Sequence, residues 1–256
     1  MENLTIELIL LCMAAFTAGF VDAIVGGGGL IQMPAGLVLL PQYPVATVIG
    51  TLKVPAFCGT GLAAWQYSKK VELNKKLLPA MMLLACTASF AGSFLLTQVS
   101  NSFMKPLLLG VLVLVAIYTY SNKNFGAHTE KTHTPKQEWW YAILLSLIIG
   151  LYDGFIGPGA GSFLVLAFIS IFGFDFLKAS AHAKFVNLST NFGSIILFAI
   201  TGKMIYAIAF PMAVCNALGG WTGARLALLR GNNFIRIFFL IVVCITIIRF
   251  AYDVFV

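Results

Sequence analysis

Gly19-Phe20-Val21-Asp22-Ala23-Ile24-Val25-Gly26-Gly27-Gly28-Gly29 has a counterpart later in the chain, Gly150-Leu151-Tyr152-Asp153-Gly154-Phe155-Ile156-Gly157-Pro158-Gly159-Ala160-Gly161. Each copy places an aspartate four residues before a glycine break, and a lysine follows, Lys53 in the first and Lys184 in the second. Asp22 to Asp153, Gly26 to Gly157 and Lys53 to Lys184 are all separated by 131 residues. Both motifs lie between long apolar runs. A charge, a helix breaker and a second charge are each costly in hydrocarbon, so their repetition at constant spacing points to an internally duplicated membrane protein with a functional centre.

Composition agrees. Of 256 residues, 60% are hydrophobic and only 10% are charged, against about 25% charged in an ordinary soluble domain. The fold class is therefore an all-α polytopic membrane protein. Apolar stretches run at about 4–25, 29–40, 44–68, 77–97 and 103–121, then 139–157, 161–173, 177–200, 204–229 and 234–255. At roughly 20 residues per crossing these give eight to ten transmembrane segments, five stretches per half. In each half the second stretch is too short to cross upright, and with the first it forms a broken hairpin whose turn lies within the membrane. The expected organisation is a first transmembrane repeat over 1–121, a cytoplasmic linker over 122–138 and a second repeat over 139–256. His128 and His133 in the linker read as solvated loop residues before metal ligands.

The net charge of +7 does not signal nucleic acid, because the basic residues cluster at segment ends. Lys69, Lys70, Lys75 and Lys76 place the connection near residue 72 in the cytoplasm. In the second half Arg225, Arg230 and Arg236 instead flank the connection that follows the fourth stretch. Equivalent loops thus sit on opposite sides, and the halves are expected to be inverted copies. The five cysteines are scattered and read as small buried hydrophobes. No nucleotide motif, activated nucleophile or metal cluster is visible, so neither an enzyme nor a cofactor is expected. Met1-Glu2-Asn3 lacks the basic start of a cleavable signal.

The glycine runs admit two readings, close helix packing or helix interruption. In the second, new helices begin at Leu30 and Ser162, and their free N–H groups and positive dipole ends suit an anion. Gly27, Gly28, Gly29, Gly159, Gly161, Ser162 and Gln32 are then candidate substrate contacts. Lys53 and Lys184 are either paired with Asp22 or Asp153, or line an anion pathway, and a salt bridge that opens on substrate arrival reconciles the two; a lysine that carries a proton is a third reading. Asp22 and Asp153 are coupling or structural residues, as is His182. Lys184, Asn187 and Asn191 share one helical face, which adds two amides to the candidate site. Gly219 and Gly223 read as packing notches.

These motifs and the duplication resemble the TauE/SafE sulfite exporter family, the bacterial TSUP transporters, over essentially the whole chain. The resemblance implies a multi-pass protein of the bacterial inner membrane and secondary transport of sulfite or organosulfonate-type anions. Alternating access with the hairpins as gates follows as the expected mechanism. The partners expected are a small sulfur-containing anion and membrane lipid; whether the chain works as a homo-oligomer is not written in the sequence. An anion channel, or a transporter of another small anion or of a cation, are the alternatives. Pro158 and Ala160 depart from the plain glycine run of the first copy.

Overall fold

The structure is a computed structural model that describes residues 2–100, 103, 107 and 134–255, with side chains described for 6–100, 103, 107, 134–235, 237 and 238. Among the described residues there are helices and no strands: α1 (Glu2–Val25), α2 (Gly29–Leu39), α3 (Val45–Ser68), α4 (Leu78–Gln98), α5 (Pro135–Phe155), α6 (Ala160–Ser170), α7 (Phe176–Ile200) and α8 (Tyr206–Phe255). The fifth apolar stretch, apart from Phe103 and Leu107, and both linker histidines lie outside the described residues.

Four of these helices are long and apolar enough to cross a membrane, over Ile6–Val25, Val45–Ser68, Leu78–Gln98 and Phe176–Ile200. α2 and α6 have 11 residues each, about 16 Å of helix, roughly half the hydrocarbon thickness. The stretches read as 204–229 and 234–255 run together as α8, broken at Gly231 where φ is 72°. α5 starts at Pro135, inside the presumed linker, because Thr134 and Gln137 form a reciprocal capping box and Pro135 is the first helical residue.

The helices of the two halves interlock. α1 lies along α8 and α4 along α5, α3 packs on α8 and α4 on α7, and α3 meets α7 at the centre. Glycines let these backbones touch: a Cβ on Gly219 would stand 2.0 Å from Phe16 O, one on Gly223 2.4 Å from Phe20 O, and one on Gly154 2.0 Å from Ser89 O. Such contacts replace the hydrophobic drive that lipid does not provide between helices.

The connections gather at two ends. At the first, Lys203 Nζ donates to Thr97 O (3.3 Å) and Ile205 N to Thr51 Oγ1 (2.9 Å). Leu11, Leu40, Val45, Leu96 and Met204 share one buried cluster there. At the second, Asn74 N donates to His182 Nε2 (2.9 Å) and Leu177 N to Asn232 Oδ1 (2.7 Å). Ala142, Leu77 and Phe168 belong to a buried cluster on that side. The α1–α2 hairpin thus hangs from the first end, α5–α6 from the second, and their tips meet between.

Large apolar side chains cover the outside, among them Met13, Val38, Leu83, Ile148, Val214 and Leu229, each more than 60% exposed. A water-soluble surface does not carry so much exposed hydrocarbon. At the second end Lys69 Nζ sits 3.3 Å from the Trp65 ring centre and Arg225 lies over Trp221, the amphipathic belt expected at a lipid headgroup layer.

Candidate anion site at the hairpin tips

A helix that stops inside a membrane leaves its last carbonyl oxygens without partners. α1 resolves this with four side chains from three other helices. Asp22 O accepts from Lys184 Nζ, Ala23 O from Tyr67 Oη (3.0 Å), Ile24 O from Ser180 Oγ (3.4 Å) and Val25 O from Ser162 Oγ (3.2 Å). α5 is finished in a similar way: Asp153 O accepts from Lys53 Nζ (2.8 Å) and Gly154 O from Ser93 Oγ (3.1 Å). Each lysine puts its positive charge at the negative end of a broken helix.

The same lysines pair with the side chains of the two aspartates, and they do so across the halves. Lys53 Nζ is 3.0 Å from Asp153 Oδ1, and Lys184 Nζ is 2.9 Å from Asp22 Oδ2. Lys53, Lys184 and Asp153 are all buried. Removing one member of such a pair leaves an unpaired buried charge and costs about 3–5 kcal/mol. The lysines are therefore not free cations: each ammonium is shared between a carboxylate and a helix end. Of the three sequence readings, pairing with aspartate is the state observed.

The two aspartates differ. Asp22 Oδ2 also accepts from Thr60 Oγ1 (3.2 Å), and Asp22 Oδ1 receives the Gly28 N–H at 3.4 Å, tying the end of α1 to the start of α2. Asp153 Oδ1 has Lys53, whereas Asp153 Oδ2 is out of solvent contact and has no hydrogen-bond donor.

The chain reverses at Gly26 and Gly157, whose φ angles of 82° and 96° belong to the left-handed region that glycine enters freely. The tips then touch. A Cβ on Gly26 would stand 2.3 Å from the carbonyl carbon of Gly161, and one on Gly161 2.4 Å from Gly26 O. The new helices start at Gly29 and Ala160, close to the expected Leu30 and Ser162. The two short helices are offset by 131 residues at both ends, the spacing of the sequence motifs.

Beside the tips is a cavity of about 70 Å³. Its wall includes Gly28, Gly29, Gly159 and Gly161 from the helix starts, Asp22, Asp153 and Lys53, and the amides of Gln32, Asn187 and Asn191. Asn191 Nδ2 donates to Asn187 Oδ1 at 2.6 Å, which turns the Asn187 NH2 toward the Gly161 backbone, 3.0 Å from where a Cβ there would be. Gln32 is engaged at both ends, donating to Leu52 O (2.9 Å) and accepting from Asn216 Nδ2 (2.6 Å).

Four candidates stand apart from the cavity wall. Lys184 is fully buried behind Asp22, Ser162 turns its hydroxyl to Val25 O, and Gly27 does not line the cavity. His182 lies at the second end, between Asn74 and Lys178 O and against Phe168 and Phe174. Asn216, by contrast, escaped the sequence reading and lines the cavity. A lone amide in an apolar run was the available signal, and Gly19 and Gly59 make the room it occupies.

Broken helices meeting at a small cavity with charged and amide side chains on its wall, inside a lipid-facing helical shell, define a multi-pass membrane transporter. The chain belongs to the TauE/SafE sulfite exporter family, whose profile matches residues 11–250. It is similar to the "Probable membrane transporter protein YfcA" of Escherichia coli strain K12, 35% identical over 95% of this chain and 89% of that one. A "Probable membrane transporter protein ORF9" of a Sinorhizobium species is 34% identical over 99% and 96% of the two chains. A "Probable membrane transporter protein" of Haemophilus influenzae is 31% identical over 96% and 94%. No solved structure matches the chain. It is a multi-pass protein of the bacterial inner membrane.

Proposed function

We propose that the chain is a secondary transporter of sulfite or organosulfonate-type anions that works by alternating access between two inverted repeats. The observation that carries this reading is the pair of helix starts, at Gly29 and Ala160, on one cavity wall with the amide of Asn187. Helix N-termini and amide N–H groups are the donors that a small tetrahedral or pyramidal oxyanion requires. Lys53 lines the same cavity and adds charge once its bridge to Asp153 opens.

Inversion is supported by the two hairpins hanging from opposite ends, and by the exchange of Lys–Asp pairs between halves. The basic residues of the 69–77 connection, together with Lys178 and Arg225 at that end, make it the cytoplasmic one. Contact between Gly26 and Gly161 closes the path at the tips, so substrate passage requires the hairpins to part. That favours a gated carrier over an open anion channel.

Counterflow of radiolabelled sulfite and taurine in proteoliposomes tests the proposal. The wild type should exchange at least one of these anions saturably. Asn187→Leu removes a charge-assisted hydrogen bond of about 1.5–3 kcal/mol and should raise the half-saturation concentration by about 10- to 150-fold. Absence of exchange, or an Asn187→Leu variant with unchanged half-saturation, would refute it.

A further inference from the structure

We propose that Asp153, and not Asp22, is the proton-carrying site of the transporter, loaded on Oδ2 when the anion binds. This deepens the anion-carrier reading and rests on it. The inference starts from the inequality of two residues that occupy equivalent places in the duplicated motif. Asp22 is stabilised as an anion from three directions: Lys184 on α7, Thr60 on α3 and the Gly28 N–H. If Lys184 moves, two donors remain. Asp153 has Lys53 on one oxygen and nothing on the other, which is buried.

Lys53 and Asp153 both stand on the wall of the cavity beside the helix starts. An oxyanion there competes with Asp153 for Lys53. Once the ammonium turns to the substrate, Asp153 is an uncompensated buried carboxylate next to a second negative charge, which like-charge repulsion and desolvation both disfavour. Taking up one proton removes the conflict. The Asp153 carboxylate becomes a carboxylic acid with the new O–H on Oδ2, and that oxygen changes from an orphan acceptor into a donor for the anion. The cavity then gains one anion and one proton, and gives up both on the other side.

The surroundings favour a proton over a metal cation. An ammonium has three N–H donors, so Lys53 gives up Asp153 Oδ1 to the substrate while it keeps Asp153 O, and the cation position at the end of the broken helix stays filled. A metal ion at Oδ2 would need further oxygen ligands close to that charge, whereas a proton needs no shell. The titratable and charged groups packed around Asp153 are few. α3 contributes Lys53, and α5 itself contributes Tyr152, whose hydroxyl donates to Pro158 O. α4 offers Ser89 and Ser93, which bond to Thr190 O and Ser194 and to Gly154 O. α6 presents no charged side chain, and the Lys184–Asp22 pair is the other charged couple at the tips.

The test measures proton and anion movements together. Proteoliposomes holding an internal pH dye are given a sulfite or taurine gradient, and protons moved per anion are read for wild type, Asp153→Asn and Asp22→Asn. The expected ratio is about one for wild type and for Asp22→Asn, whatever its rate, and about zero for Asp153→Asn. A ratio unchanged in Asp153→Asn, or lost equally in Asp22→Asn, overturns the assignment. An infrared pH titration of the purified protein reads the same site without transport. A protonated-carboxyl carbonyl band should grow on adding sulfite, vanish in Asp153→Asn and persist in Asp22→Asn; a band that persists in Asp153→Asn overturns it. Wild-type vesicles that move neither anion refute the transport reading, and the infrared result still decides whether Asp153 takes a proton.

Discussion

Adding one methyl group at the hairpin tips tests whether their contact is as close as the structure has it. Three glycines separate the two costs of an alanine. At Gly202 φ is 65° and nothing lies within 4 Å of an added Cβ, so Gly202→Ala meets only the left-handed backbone penalty, about 1–2 kcal/mol. Gly161 lies in the first turn of α6, where its backbone suits alanine, but its Cβ would stand 2.4 Å from Gly26 O and 2.9 Å from Gly26 Cα. The tips must separate by about 1 Å, an overpacking cost of about 1–3 kcal/mol. Gly26 has both problems, with φ 82° and contacts of 2.3, 2.5 and 2.6 Å to the Gly161 and Ser162 backbone. Gly26→Ala should therefore lose about 2–5 kcal/mol, the sum of the other two. Unfolding in mixed detergent–dodecyl sulfate micelles, followed by far-ultraviolet circular dichroism, measures all three. A Gly26→Ala loss no larger than that of Gly202→Ala would refute the contact. Gly157→Ala is a further control: φ is 96°, but its nearest neighbours stand at 3.3–3.6 Å, so it should resemble Gly202→Ala.

Two other expectations concern the charge pairs and the topology. Lys53→Met and Asp153→Leu should each destabilise by about 3–5 kcal/mol, and the double variant by clearly less than their sum, because the survivor of each single change is a lone buried charge; additive losses would mean the bridge contributes nothing. In a cysteine-free background, an impermeant maleimide should label Gln42→Cys from outside the cell and Lys75→Cys only after permeabilisation. Labelling of both from one side would overturn the opposed hairpins, and the reverse pattern would overturn the orientation.

The sequence by itself determined the helical membrane class, the duplicated motif and where its helices break. These follow from short-range physics: hydrocarbon demands satisfied backbone, so apolar length sets the helices, and glycine-rich breaks interrupt them at Gly26 and Gly157. The start of α2 and α6 was legible to within two residues for the same reason. The roles of the charged residues were not. A lysine at position 53 carries no sign of whether it faces an anion or a carboxylate 100 residues away, because that depends on which helices meet. Tertiary packing decided that Lys53 and Lys184 close the ends of broken helices in the opposite half. It brought Asn216 to the cavity from a helix with no other polar signal nearby. It also set Asp22 and Asp153 apart: Thr60 lies within reach of one carboxylate, whereas the second oxygen of the other has no donor. A repeat in sequence fixes equal spacing and places Lys53 and Lys184 alike, but Thr60, which bonds Asp22, is replaced at the equivalent position by Asn191, which bonds Asn187 instead.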